Sequence, residues 1–154
     1  MATGHWITNR GKKWLIDGGW TDTGAGELRM GYLSVSQPAA LDTETEVNAI
    51  DTVSGLLAAG ATEATFTNYA RQTLTRGTAT EDDTNDRVNM DISDVTIASA
   101  GGATNNTLYG AFFYTEGGGT DGTRELISVD WFASTITTNG GNLTYAVTDL
   151  YRAT

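Results

Sequence analysis

Short runs of alternating apolar and polar residues, separated by clusters of Gly, Asn and Asp, constrain this chain more than any other feature. In residues 87–92, Val88, Met90 and Ile92 fall on one face, and Arg87, Asn89 and Asp91 on the other. A period of two marks a strand, because successive side chains point to opposite faces. Residues 125–132 place Ile127, Val129 and Trp131 on one face. Residues 142–148 do the same with Leu143, Tyr145 and Val147. Residues 108–114 are largely apolar on both faces, which predicts a central strand covered on both sides. Residues 69–75 carry Tyr69, Arg71, Thr73 and Thr75 on a polar face, which places that strand near a sheet edge. Residues 27–35 read as one more strand.

The interruptions are turn chemistry. Residues 81–86, 101–106, 116–122 and 139–141 are rich in Gly, Asn and Asp, which tolerate left-handed backbone and form Asx-turns. Strands at intervals of roughly 10–16 residues with such punctuation predict an all-β, antiparallel β-sandwich or barrel-like domain. Thr is about one residue in six, and Lys12 and Lys13 are the only lysines, a composition that suits strands better than helices. A short helix near the N-terminus is expected over residues 9–16, capped by Asn9 and ending before Gly18 and Gly19. Residues 43–59 fit either a helix capped by Thr43 or Thr45 or a loop with one helical turn. The 154 residues suit a single domain, 1–154, in which residues 1–26 form an anchoring or contact segment.

Composition removes several kinds of chemistry. With no Cys there is no disulfide framework, thiol nucleophile or Cys-based zinc site. With His5 as the single histidine, a multi-His metal site is impossible and a catalytic triad has one candidate base. A net charge of −10 argues against nucleic-acid binding, which relies on Lys and Arg neutralising phosphates. Residues 1–10 have no signal-peptide pattern, and residues 48–61 are too short and polar to span a bilayer. A chain made in the cytosol, without a membrane partner, is expected.

The candidate sites each have an ordinary structural explanation. Glu81, Asp82, Asp83 and Asp86 offer carboxylates for a hard cation but lack EF-hand spacing, so a solvated hairpin turn is expected. Gly117–Gly122 lacks the Lys and following helix of a phosphate-binding loop, so a flexible hairpin tip is expected. His5 lies beside Trp6 and near Lys12, Lys13 and Trp14; a general base needs a nucleophile in reach, and an N-terminal segment is usually a poor place for one. Trp6, Trp14, Trp20 and Trp131 suit the core, a protein contact or, with paired carboxylates, sugar stacking. Three of these four crowd into the first twenty residues beside Lys12 and Lys13, the concentrated positive charge of an acidic chain. Trp6, Lys12, Lys13, Trp14 and Trp20 are therefore the candidate protein-interface residues, with no catalytic residue, cofactor or metal expected.

Residues 69–75, 80–87 and 90–96 together resemble a widespread group of small tailed-bacteriophage virion structural proteins. Residues 11–19, 28–35, 108–114, 126–131 and 138–144 are similar to the same group, so the resemblance covers most of the chain. Trp6, Trp14 and Trp20 depart from it. The resemblance implies a non-enzymatic virion component. The acidic charge favours the head exterior over a DNA-filled interior. The leading expectation is an outer-capsid decoration (cement) protein, a homo-oligomer (trimer favoured) bound to the major capsid protein. The alternatives are a tail or head–tail component and a carbohydrate-binding module for host-surface glycans.

Overall fold

The computed structural model describes residues 4–20, 27–146 and 150–153. In chain order the elements are β1 (Gly4–Ile7), α1 (Asn9–Ile16), β2 (Leu28–Leu33), a 3-10 turn (Ala39–Leu41), α2 (Glu44–Asn48) and α3 (Val53–Ala58). Then follow β3 (Gln72–Thr73), β4 (Thr80–Asp82), β5 (Arg87–Met90), β6 (Val95–Ile97), β7 (Thr107–Thr115), β8 (Leu126–Thr137), β9 (Leu143–Tyr145) and β10 (Tyr151–Ala153). A five-stranded antiparallel sheet runs β1-β8-β7-β2-β3. Two smaller antiparallel sheets, β10-β5-β4 and β6-β9, complete the strands. The expected all-β, antiparallel, sandwich-like architecture is what forms.

The double-sided apolar pattern of residues 108–114 becomes the middle of the large sheet. Ala111 and Phe113 join a core with Met30, Tyr32, Met90, Ile92, Leu143 and Tyr151, so the small sheets cover this face. Phe112 and Tyr114 join a second core with Leu41, Val47, Val53, Leu56 and Trp131, so the helices cover the other. Each fully buried aliphatic or aromatic side chain contributes about 1.5–3 kcal/mol. Both layers are therefore needed to hold β7. In β8 the expected shared face of Ile127, Val129 and Trp131 divides. Phe113 pairs with Ser128 and Tyr114 with Leu126, leaving Ile127 unmatched in a β-bulge. The extra residue turns Ile127 into the first core, while Val129 and Trp131 stay in the second.

Elsewhere the strands are shorter than the alternation suggests. Of residues 69–75 only Gln72 and Thr73 pair, on the outer edge of β2, in keeping with an edge position. Leu143 and Tyr145 are buried around exposed Thr144; Val147 and Thr148 lie outside the described residues. Residues 81–86 do form a hairpin, with Asp82 accepting from Asn85 and Arg87 and Asp86 at a positive φ of 52°.

The helix over residues 9–16 is present, but its cap is Thr8 instead of Asn9. The Thr8 hydroxyl accepts from Gly11 N–H at 2.9 Å and donates to the Leu126 carbonyl at 2.6 Å. One buried side chain thus caps the helix and ties it to β8, which an exposed Asn9 cannot do. The ambiguous residues 43–59 resolve as two short helices. Thr43 and Glu46 form a capping box on α2, and Thr52 caps α3 through Gly55 N–H. Helix α1 approaches β8 so closely that a Cβ on Gly11 would lie 2.1 Å from the Ile127 carbonyl oxygen. Ala exceeds Gly by about 1 kcal/mol in an open helix. Here Gly11→Ala is instead expected to lower stability in urea unfolding by about 1–3 kcal/mol, because rigid backbone must move.

Candidate functional site

The N-terminal segment is woven into the domain. Strand β1 pairs with β8 from Gly4 opposite Trp131 to Ile7 opposite Ser128, and forms one edge of the large sheet. Helix α1 then presents Arg10, Lys12 and Lys13 outward. Arg10 pairs with Glu125 at 3.4 Å, Lys12 with Glu44 at 3.6 Å, and Lys13 with Asp17. All six side chains are at least one-third exposed. Such pairs contribute about 0–1 kcal/mol and exchange readily for a partner's carboxylates. Ile16, at the end of the same helix, is 84% exposed.

The tryptophans do not share that surface. Trp14 and Trp20 are 7% and 5% exposed and meet edge to face, with ring centroids 6.5 Å apart. Trp20 donates to the Gly77 carbonyl at 2.9 Å, and the Arg76 guanidinium lies over the Trp14 ring. Their area is spent inside the domain, and Trp131 is 1% exposed. None of these three indoles is open to stack on a sugar; Trp6 is half-buried against the helical core. Of the candidate interface residues, Lys12 and Lys13 are therefore exposed and Trp6 is half-buried, whereas Trp14 and Trp20 are buried.

A second constellation escaped the sequence reading. Arg71 binds Glu63 through two hydrogen bonds of 2.7 Å and Asp121 through two of 2.6 and 3.0 Å. Its guanidinium lies 5.4 Å over Phe112 and 5.2 Å over Tyr114. Tyr69 donates to Glu63 at 2.6 Å, and its oxygen accepts from Tyr32 N–H. Arg124 links Asp121 to Glu116, and Arg29 links Glu116 to Glu27. Three arginines thus bind four carboxylates over the part of the second face that the helices leave open. The hydrogen bonds from Arg71 pull the Asp121 carboxyl down to about 2. The loop over residues 116–125 is thus tied down at Glu116, Asp121 and Arg124, with Ser54 N–H donating to the Asp121 carbonyl at 2.9 Å, while residues 117–120 are exposed. The network was illegible because Arg71 and Asp121 are 50 residues apart and each resembles a solvated charge.

Among the described residues no three His, Asp or Glu side chains converge as metal ligands, and no helix is long and apolar enough to cross a membrane. A groove of about 570 Å³ is lined by Trp20 and residues 74–79. Residues 21–26, which follow Trp20, lie outside those described.

Replacing Arg71 with Gln should cost about 2–4 kcal/mol, below the full value for a buried ion pair because the network is part-open. A depressed carboxyl pKa stabilises the fold above its ordinary value of 3.8 and loses that contribution as pH falls toward 2. Thermal unfolding from pH 5 to pH 2 should therefore show a decline for the parent chain that Arg71→Gln blunts.

No family model matches the chain, and comparison with curated proteins and solved structures returns no similar protein.

Proposed function

We propose that this chain is a non-enzymatic structural component of a tailed-phage virion, most specifically an outer-capsid decoration protein that binds the assembled head as a homo-oligomer. The distribution of cations carries this reading. Arg29, Arg71 and Arg124 are committed to carboxylates within the domain, Arg87 is bound to Asp82, and Arg76 is packed on Trp14. Three further cations, Arg10, Lys12 and Lys13, cluster on one turn of α1 in pairs with exposed carboxylates, on a chain of net charge −10; Arg152 of β10 is also exposed. Exposed cations that can exchange their surface carboxylates for those of an acidic partner favour one docking orientation, and the acidic body repels duplex DNA. Strand β1 has one strand partner among the described residues, and its other edge would supply backbone groups for strand pairing with a capsid element or another copy. Binding the lattice but not free subunits would stabilise the head by linkage.

Two measurements test the reading. Quantitative mass spectrometry of purified virions should find the chain in hundreds of copies, comparable with the major capsid protein; dozens would assign it to the tail or connector. Charge reversal in Lys12→Glu combined with Lys13→Glu should weaken binding to undecorated heads more than tenfold and flatten its salt dependence, because the exposed charges set the encounter. Full-strength binding by this variant would remove α1 from the contact.

A further inference from the structure

His5 lies in β1, the edge strand of the large sheet. Its side chain turns toward the face covered by the small sheets. The imidazole centroid is 5.6 Å from Phe113 of β7 and 5.3 Å from Tyr151 of β10. Its Nε2 is buried and has no hydrogen-bond partner among the described residues. One ring thus joins the first described strand of the chain to the last. A neutral imidazole suits this aromatic slot. A protonated one brings a charge and an N–H with no acceptor, which burial penalises.

We propose that His5 is an acid-sensitive latch whose protonation releases β1 from the large sheet and unseats it from Tyr151 of β10. The groups that face it do not replace the lost hydration. On β8, Asp130 is the register partner of His5, but its carboxylate accepts from the Tyr145 hydroxyl at 2.9 Å. The Ser128 hydroxyl is bonded to the Tyr151 hydroxyl at 2.8 Å. Burial raises the pKa of Tyr145 and Tyr151, so both stay neutral in acid. Phe113 brings no charge from β7. Glu44 and Glu46 of α2, which packs near β1, are exposed, and their helix buries Val47 in the core on the opposite face of the sheet.

The direction follows from burial, which lowers His5 from 6.5 to about 4. The closed state then prefers the neutral ring. Its advantage is complete above pH 6.5 and is lost as pH falls toward 4, on the order of a hundredfold in the opening equilibrium. Burial acts on Asp130 in the opposite sense, raising its pKa, so its protonation favours the closed state. The Asp121 contribution is lost only below 3.8. Opening of β1 between pH 6.5 and 4 therefore belongs to His5. Strand β1 is well placed to open locally, since it pairs through a single four-residue ladder.

Hydrogen exchange on the isolated chain at pH 7 and pH 4, corrected for intrinsic rates, tests the latch. Amides of residues 4–8 should lose protection on the order of a hundredfold, while β7, and β10 on its partner β5, stay protected. His5→Gln should make β1 exchange independent of pH over this range. Unchanged protection in the parent, or an equal loss in His5→Gln, overturns the proposal. Should the variant fail to fold, the parent's single imidazole gives a second test by proton NMR. A titration midpoint near pH 4 that tracks β1 exchange supports the latch, and a midpoint near 6.5 overturns it.

Discussion

Strand β7 has no face to spare for water. Leu108 and residues 110–115 are all buried, and the aromatic rings of residues 112–114 alternate between two cores. A strand with one wet face needs one cover, whereas this one needs two. The small antiparallel sheets β10-β5-β4 and β6-β9 supply one layer, and α2, α3 and the 3-10 turn supply the other. Most elements of the chain can be understood as cover for this strand, including short ones with little stability of their own. Helices of five and six residues are marginal in water and persist here because Val47, Val53 and Leu56 are fully buried on the sheet.

The helical cover stops short, and the gap is closed by charge. Arg71 spreads its guanidinium over Phe112 and Tyr114 while Glu63 and Asp121 satisfy its donors. Close approach is possible because Gly31 sits beneath; a Cβ there would lie 2.5 Å from the Phe112 ring and 2.8 Å from the Tyr69 hydroxyl oxygen. A roof of ion pairs costs desolvation that an apolar roof would not. In return it joins β2, the 63–73 segment and the 116–125 loop through directional bonds. It also neutralises three arginines within the domain.

The candidate surface was legible in part. Lys12 and Lys13 could be singled out because lysine occurs nowhere else, and the helix that carries them follows from the Gly stop at residues 18 and 19. The companion tryptophans were misplaced for a physical reason. Local crowding of aromatics is equally consistent with a contact patch and with a corner of the core, and only the return of Gly77 and Arg76 to this corner buries Trp14 and Trp20. The Arg71 network had no local signal at all.

The sequence by itself determined the kind of fold, because a two-residue period flanked by turn-forming residues leaves the backbone little choice but antiparallel strands. It also determined that residues 108–114 lie in the middle, since apolar side chains on both faces demand two covers. Only the tertiary structure decided which distant segments provide those covers. The bulge at Ile127 shifts a residue between cores without altering the local pattern. The cap of α1 moves to Thr8 because β8 offers its hydroxyl an acceptor. The enclosure of the His5 Nε2 depends on a strand about 146 positions away reaching the same slot. Each of these outcomes is a contact between residues far apart in sequence, whose geometry exists only once the sheet has closed around β7.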